Sequence, residues 1–571
     1  MTTTAPALDT LVETHRELLS RAMDAARTRE FFSAYPESPS PRVYGDEAGP
    51  AGEAAFQEVL DHDFALDQPH DGMTTGSEVS PYGRRLGIRY PRSTVDQLVS
   101  AASSALPTWQ AASPEDRASI GVEILARINA RSFEIAHAVM HTSGQAFVMA
   151  FQAGGPHAQD RGLEAVTYAL LEQTRISPTT LWEKPQGKRP PLRLIKTFTP
   201  VSRGVALMIG CNTFPTWNSY PGLFASLVTG NAVIVKPHPR AVLPLAITVQ
   251  IAREVLAEYG FDPNVVLLAA EDDGEGVARD LATHPAVGVI DFTGSTAFGT
   301  WLENNARQAQ VYTEKAGVNT VIFESTDAYR AALDNLAFTL SLYSGQMCTT
   351  TQTIFVPDSG VSTDEGMKSA DDVARDLGTA LDALLGDDAK AAAILGAIVS
   401  NDVANRLDTA AAATDVVVPS RAVTMTDWPD ARIRTPLVRL VDADASDEYA
   451  QECFGPVTFV VRTRDRGQAV SRFEEVTRSQ GALTAGVHST DEAFLDEVRT
   501  AALRSGVALS ENLTGGIYVN QTTAFSDFHA TGANPAANAA YTDGHFVAGR
   551  FRFIENRRPA PDVEAEPVAV S

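Results

Sequence analysis

The sequence predicts an α/β protein built on a parallel, doubly wound sheet, with a second α/β domain behind it. Three observations lead there. From Gly204 onward, continuously apolar runs at 205–209, 232–235, 265–268 and 287–290 alternate with helical stretches such as 242–259, the texture of βαβ units. Strands that are apolar at every position are buried on both faces, as helix-covered parallel sheets require. A second alternating region runs from Asn319 to about Val519, and a 571-residue chain exceeds the roughly 250–300 residues that one core serves. Ligands of such sheets bind at the carboxyl ends of the strands, so a nucleotide site is expected there.

Taken in order, residues 1–80 read as a helical extension. Leu8, Leu11, Leu18, Leu19 and Met23 mark an amphipathic helix, and Pro36, Pro39, Pro41, Gly45, Gly49 and Pro50 then interrupt it. Ser113-Pro114-Glu115-Asp116 supplies a cap, a first-turn proline and first-turn acids for a long helix reaching about His141. The expected division is 81–318 for nucleotide binding, including an arm strand at 191–202, and 319–520 for a thiol-bearing domain. The second domain opens with a helix capped at Asp327 that carries Leu333, Leu336, Ala337 and Leu340. Residues 521–555 return to the first domain, where a strand-like run at 546–553 pairs with the arm strand, and 556–571 read as a disordered tail.

Composition excludes several classes. With 71 acidic and 46 basic side chains the net charge is −25, and the pI near 4.8 repels nucleic acid and anionic lipid. The N-terminus lacks a secretory pattern and no apolar run nears the roughly 18 residues of a membrane span, so a soluble cytoplasmic protein is expected. Three cysteines, Cys211, Cys348 and Cys453, cannot frame disulfides and lack zinc spacing, so no metal is expected. HExxH, the phosphate-loop signature and GxSxG are absent.

Five segments carry chemistry. In Tyr343-Ser344-Gly345-Gln346-Met347-Cys348-Thr349-Thr350 a thiol follows a helix and a glycine, where free backbone amides favour a thiolate. Tyr312-Thr313-Glu314-Lys315 places a carboxylate at a strand end, 34 residues before the cysteine, where it can serve as a base. Asp291-Phe292-Thr293-Gly294-Ser295 runs from a strand through a glycine turn into a helix whose amides suit a phosphate. Lys236-Pro237-His238-Pro239-Arg240 ends a strand in a cationic turn, and Glu452-Cys453-Phe454-Gly455-Pro456 is a turn with an acid and an aromatic. Each alone reads equally well as structural: a small buried cysteine, a solvated glutamate, ordinary turns.

Together and in this order they resemble the aldehyde dehydrogenase superfamily over roughly residues 85–555. The resemblance implies a Rossmann-like cofactor domain, an α/β catalytic domain, a β-strand oligomerisation arm that makes a homodimer or higher oligomer, and the helical N-terminal extension as an addition. It implies Cys348 as nucleophile and Glu314 as general base. It places the nicotinamide ribose at Glu452 and Phe454, and the rest of the cofactor along Lys236, His238, Pro239, Gly294 and Ser295. The CNTFPTWN, KPHPR and TEKAGVN segments look like the phenylacetate-degradation subgroup called PaaN, which implies a ring-opened, coenzyme A-linked semialdehyde as substrate. Two departures stand out. The family's oxyanion-hole asparagine falls on Thr213, with Asn212 beside it and Asn218 in the next turn. Pro239 replaces the acid that holds the adenosine ribose, which with Lys236, His238 and Arg240 nearby favours NADP slightly over NAD. A CoA-acylating dehydrogenase, a cofactor-independent thiol hydrolase and a non-catalytic scaffold are the competing readings. A modest basic cluster at Lys188, Arg189 and Arg193 reads as surface charge.

Overall fold

A computed structural model of the protein describes residues 7–315 and 317–561. Five parallel strands form the first sheet: β1 (Val205–Ile209), β2 (Ala232–Lys236), β3 (Val266–Leu268), β4 (Val287–Thr293) and β5 (Gln310–Glu314). Their order is β3-β2-β1-β4-β5, so the chain reverses direction between β1 and β4 and opens a crevice at their carboxyl ends. The apolar runs of β1 and β2 are buried at every position, which is why no in-out alternation shows in their sequence.

The second sheet has seven strands: β6 (Asn319–Phe323), β7 (Thr351–Pro357), β8 (Val416–Val418), β9 (Leu437–Asp442), β10 (Val457–Thr463), β11 (Thr484–His488) and β12 (Ala508–Glu511). They lie in the order β8-β9-β10-β7-β6-β11-β12, parallel except for β8 against β9. Only four residues separate β5 from β6, so the two sheets meet where Glu314 ends the first of them.

Several local expectations change in three dimensions. The helix begun at Ser113 carries the capping box with Asp116 but stops at Ala130; Arg131 leaves the helical region, and a second helix, Ser132–Ser143, turns away to pack on Ala48–Val59. Asp327 caps nothing. The helix begins at Tyr329, whose backbone N–H donates to Asp364 Oδ1 (3.0 Å), an acceptor from a distant hairpin.

The N-terminal extension is built into the main core. Its helix Leu8–Thr28 buries Leu11 and Leu19, and Phe56 is fully enclosed. The Gln68 amide bridges the backbone of Leu268 in β3, donating to its carbonyl (2.8 Å) and accepting from its N–H (2.9 Å). Glu78 Oε1 accepts from the first amides of the helix Leu243–Glu258, at Val242 (2.6 Å) and Leu243 (3.1 Å).

The arm is a three-stranded antiparallel sheet. Arg189–Ser202 lies at its centre, between Phe551–Pro559 and a strand that sequence analysis misses, Thr179–Gln186. The run expected at 546–553 is split: Gly544–Ala548 is helical and the strand starts only at Phe551. It continues through Pro559, so residues 556–559 belong to the arm rather than to a tail; residues 562–571 lie outside the described chain. The strand-to-body junction is fixed by Arg550. Fully buried, its guanidinium makes a two-point ion pair with Asp291 of β4 (2.6 and 2.6 Å) between the rings of Tyr312 and Phe546.

Candidate active site

Cys348 follows a tight turn whose conformation is fixed from several directions. Tyr343, Ser344 and Gly345 all have positive φ (53°, 52° and 65°), a conformation that ordinary residues avoid and that persists only where the surroundings fix it. They do. Ser344 Oγ donates to the carbonyls of Leu395 (3.1 Å) and Arg434 (3.2 Å); Gln346 donates to Ala397 O (3.0 Å) and accepts from Val399 N (2.9 Å). A side chain at Gly345 would sit 2.6 Å from Gly455 O, so that position admits glycine alone. Asn319, the first residue of β6, donates to the carbonyls of Cys348 (2.7 Å) and Thr350 (3.0 Å) and accepts from Leu483 and Thr484. Gly345 and Gln346, read from the sequence as a thiol-flanking motif, act here as anchors for the loop.

Glu314 ends β5 almost wholly buried. Its Oε1 accepts from the Asn218 amide (3.2 Å), and its Oε2 lies 3.1 Å from His529 Nε2. Cys348 Sγ is 3.8 Å from the same nitrogen. The ligating atoms of Glu314, Cys348 and His529 all fall within 4.8 Å of one another. Burial, and then the neighbouring Glu314 carboxylate, push the Cys348 thiol well above its usual range.

His529 belongs to no sequence motif. It arrives on the return segment, which closes over the exposed edge of β5: Asn538 exchanges hydrogen bonds with the Thr313 backbone (2.8 and 3.1 Å), and Lys315 N donates to Ala536 O (2.6 Å). The only advance signal was an unassigned histidine in that segment.

The other expected residues divide. Asn212 donates its amide to Thr142 O (2.9 Å), and Thr213 Oγ1 lies 3.8 Å from the sulfur of Cys211 rather than Cys348. Neither contact reaches Cys348 or Glu314; Asn218, in the next turn, touches the pair through Glu314. Glu452 and Phe454 line one pocket of about 270 Å³ with Cys348, and the exposed Glu452 makes no ion pair among the described residues. Gly294 and Ser295 stand at the end of β4, where Ser295 caps the helix Thr296–Asn305 by accepting from Phe298 N (3.4 Å). Lys236, at the end of β2, is buried in an ion pair with Glu271, from the segment after β3. Arg240 pairs with Asp273 (3.2 Å). Burial pushes His238 down to about 4, so it is neutral at pH 7, and Pro239 is buried beside it.

Met347, beside Cys348 in the chain, packs with Met149 and Trp217 against an apolar cluster of Phe214, Tyr343, Cys211 and Ala153. No helix among the described residues is long and apolar enough to cross a membrane.

The sequence profile of the Aldehyde dehydrogenase family matches residues 78–532. Among solved structures, an NAD-dependent aldehyde dehydrogenase from Burkholderia multivorans is 53% identical, covers 98% of this chain and 100% of its own, and superposes with a TM-score of 0.96. A 1-pyrroline-5-carboxylate dehydrogenase from Thermus, solved with bound NAD, is 18% identical over 93% of this chain and 99% of its own (TM-score 0.69) and shares the fold. Among curated proteins, N-succinylglutamate 5-semialdehyde dehydrogenase of Paraburkholderia xenovorans (strain LB400) is 25% identical over 431 residues, 74% of this chain and 82% of that protein. A profile match over most of its length, a fold shared with family structures and a close relative of the same class establish that the chain belongs to the aldehyde dehydrogenase family.

Proposed function

We propose that this enzyme oxidises an aldehyde to the carboxylate through a thioester on Cys348 that is hydrolysed with Glu314 as general base, and that NAD is the acceptor. The observation that carries the reading is the meeting of the Cys348 sulfur and the buried Glu314 carboxylate in one site, although they come from different sheets. An aldehyde has no hydride to give until a nucleophile adds to its carbonyl carbon, and the Cys348 sulfur supplies that addition. The backbone N–H of Cys348, next to the attacking sulfur, is the donor we assign to the resulting oxyanion. Loss of one such donor typically costs about 100-fold to 1000-fold. NAD supplies the hydride acceptor when bound. Glu314 then takes a proton from the water that attacks the thioester, through Oε2, the carboxylate oxygen that does not bind Asn218.

The residues present fit a dinucleotide. The crevice between β1 and β4, the helix start at Ser295 and the open carboxylate of Glu452 beside Cys348 would hold its pyrophosphate and nicotinamide ribose. The case for NADP drawn from Pro239 weakens in three dimensions. Each cation of that turn is already committed, Lys236 to Glu271 and Arg240 to Asp273, and His238 is neutral. Glu271 thereby returns to the site the acid that Pro239 removed from the sequence, and an acid there repels a 2′-phosphate.

The apolar cluster beside Cys348 suits the carbon chain of an aldehyde. A semialdehyde is the first substrate to test, the ring-opened CoA-linked form above all. Glu314 favours hydrolysis over discharge to coenzyme A. The arm, with Leu181, Leu192 and Ile554 exposed, supports a homo-oligomer built through it.

The test is absorbance at 340 nm with a semialdehyde panel, NAD or NADP, and CoA present or absent, for wild type and Cys348→Ala. Expected is Cys348-dependent NADH formation without CoA. Silence with every aldehyde, the CoA-linked one included, overturns the reading; a strict CoA requirement replaces hydrolysis with acylation.

A further inference from the structure

The Cys348–Glu314 arrangement poses an electrostatic problem. Two groups that both become anionic share one largely buried site, and a carboxylate beside a thiol opposes ionisation of the sulfur by direct repulsion. A thiol that stays protonated is a weak nucleophile. A positive charge within reach resolves this, and the nearby basic side chains are committed elsewhere. Lys315 Nζ binds Glu303 (2.9 and 3.1 Å). Arg161 binds Glu164 (2.8 Å) and the carbonyl of Asp527 (3.0 Å). Arg550 is paired with Asp291.

His529 is the exception. Its Nε2 stands between the two groups, 3.1 Å from Glu314 Oε2 and 3.8 Å from Cys348 Sγ. The ring is fixed there: its backbone exchanges two hydrogen bonds with Tyr541 (2.8 Å each), and the indole of Trp217 packs edge-on at 4.6 Å between centroids. The ring is 97% shielded from solvent; Nδ1 has no partner among the described residues, and the groups within reach of Nε2 are Glu314 Oε2 and the Cys348 sulfur. The other titratable groups around it do not compete. Burial pushes the Cys211 thiol up to about 11 and the Tyr541 phenol well above its usual range, and Arg161 lies behind Trp217, 5.4 Å from that ring.

We propose that His529 is a third catalytic group, taking the Cys348 proton at Nε2 and lying as an imidazolium between the thiolate and the Glu314 carboxylate. In this step the S–H bond breaks and an N–H bond forms at Nε2. The electron pair left on Sγ then forms the bond to the aldehyde carbon. On hydrolysis the water oxygen bonds to the acyl carbon as the C–S bond breaks, the pair returns to Sγ, and the water proton goes to Glu314 and from it to solvent, so the imidazolium persists through the cycle and the sulfur leaves as a stabilised thiolate. The proposal rests on the assignment of Cys348 as nucleophile, and its test uses neither aldehyde nor cofactor.

The test follows thiolate absorbance at 240 nm and the rate of alkylation by iodoacetamide from pH 5 to 10 in the full-length protein, with Cys348→Ala to subtract Cys211 and Cys453. Wild type should show a Cys348-dependent thiolate band that persists below pH 7 and an alkylation plateau over the same range. His529→Asn should lose both, with alkylation at pH 7 at least about tenfold slower and wild-type rates regained only at alkaline pH, one unit of pKa being a factor of ten. His529→Phe, which keeps the packing on Trp217, should behave as His529→Asn does. Wild-type protein with no thiolate band until above pH 8, or variants that keep the neutral-pH plateau, overturns the proposal. The wild-type titration stands even where a variant fails to fold. Failure of aldehyde oxidation with a normal thiolate band would reject the dehydrogenase reading and leave His529 its role.

Discussion

Replacing Arg550 with methionine tests what joins the arm to the first sheet. The guanidinium is fully buried, makes two 2.6 Å bonds to Asp291, donates to Ser226 Oγ (2.7 Å), and lies 4.4 and 4.2 Å from the ring centroids of Tyr312 and Phe546. Methionine fills much of the space but leaves Asp291, only 4% exposed, without its counter-ion. Breaking a buried pair from one side costs about 3–5 kcal/mol. The two cation–π contacts can only add to this, so about 4 kcal/mol, the middle of the ion-pair range alone, is a conservative expectation. A chain with two sheets and a separate arm does not unfold in one reversible step, so the assay is the half-life of activity at a fixed elevated temperature. If the whole loss falls on the unfolding barrier, the half-life shortens about 1000-fold, and even one third of it gives about tenfold. Asp291→Asn combined with Arg550→Met removes both charges and should recover most of the loss, because replacing both partners is far less costly than orphaning one. A half-life for Arg550→Met within twofold of wild type refutes the reasoning.

Glu314→Gln should give a burst of one NADH per active site followed by turnover about 100-fold to 10,000-fold slower; an unchanged steady-state rate removes Glu314 from hydrolysis. Glu271→Gln frees Lys236 and should move the NAD-to-NADP ratio of kcat/KM toward NADP by at least about tenfold, the effect of about 1.4 kcal/mol; an unchanged ratio returns the cofactor question to other residues. Asp160, buried against Ser33 Oγ (2.7 Å) and Ala34 N (2.9 Å), has its carboxyl raised by burial to about 6. The folded state therefore holds this proton more tightly than the unfolded state, and stability falls as pH rises from about 4 to about 6. Melting curves across that window should show a decline that Asp160→Asn reduces, and parallel curves would refute it.

What the sequence disclosed and what it withheld have a common physical cause. The strands of the first sheet were legible because burial on both faces writes an unbroken apolar run, as in 205–209 and 232–235. Cys348 and Glu314 were legible because each sits at the end of such an element in a recognisable string. Partners joined only by folding were not. Asp364 replaces Asp327 at the start of the helix Tyr329–Ser341 from 35 residues away. Glu271 meets Lys236 from the segment that follows a neighbouring strand. His529 reaches Cys348 across 181 residues. The strand Thr179–Gln186 was missed because the arm strands are exposed on both faces and lose the apolar signature.

The three side chains at the centre of the site come from three stretches that are synthesised far apart. Glu314 closes the first sheet, Cys348 enters the second, and His529 follows the last strand of the second sheet, with Arg550 and the outer arm strand still to come. The strands of the first sheet end at Glu314, yet the thiol environment is finished only by a residue 215 positions further along the chain. A chain that stops between Glu511 and His529 thus contains every strand of both sheets and still lacks one of the three groups gathered around the sulfur. The surroundings of the thiol are therefore finished only after the strands of both sheets have been laid down.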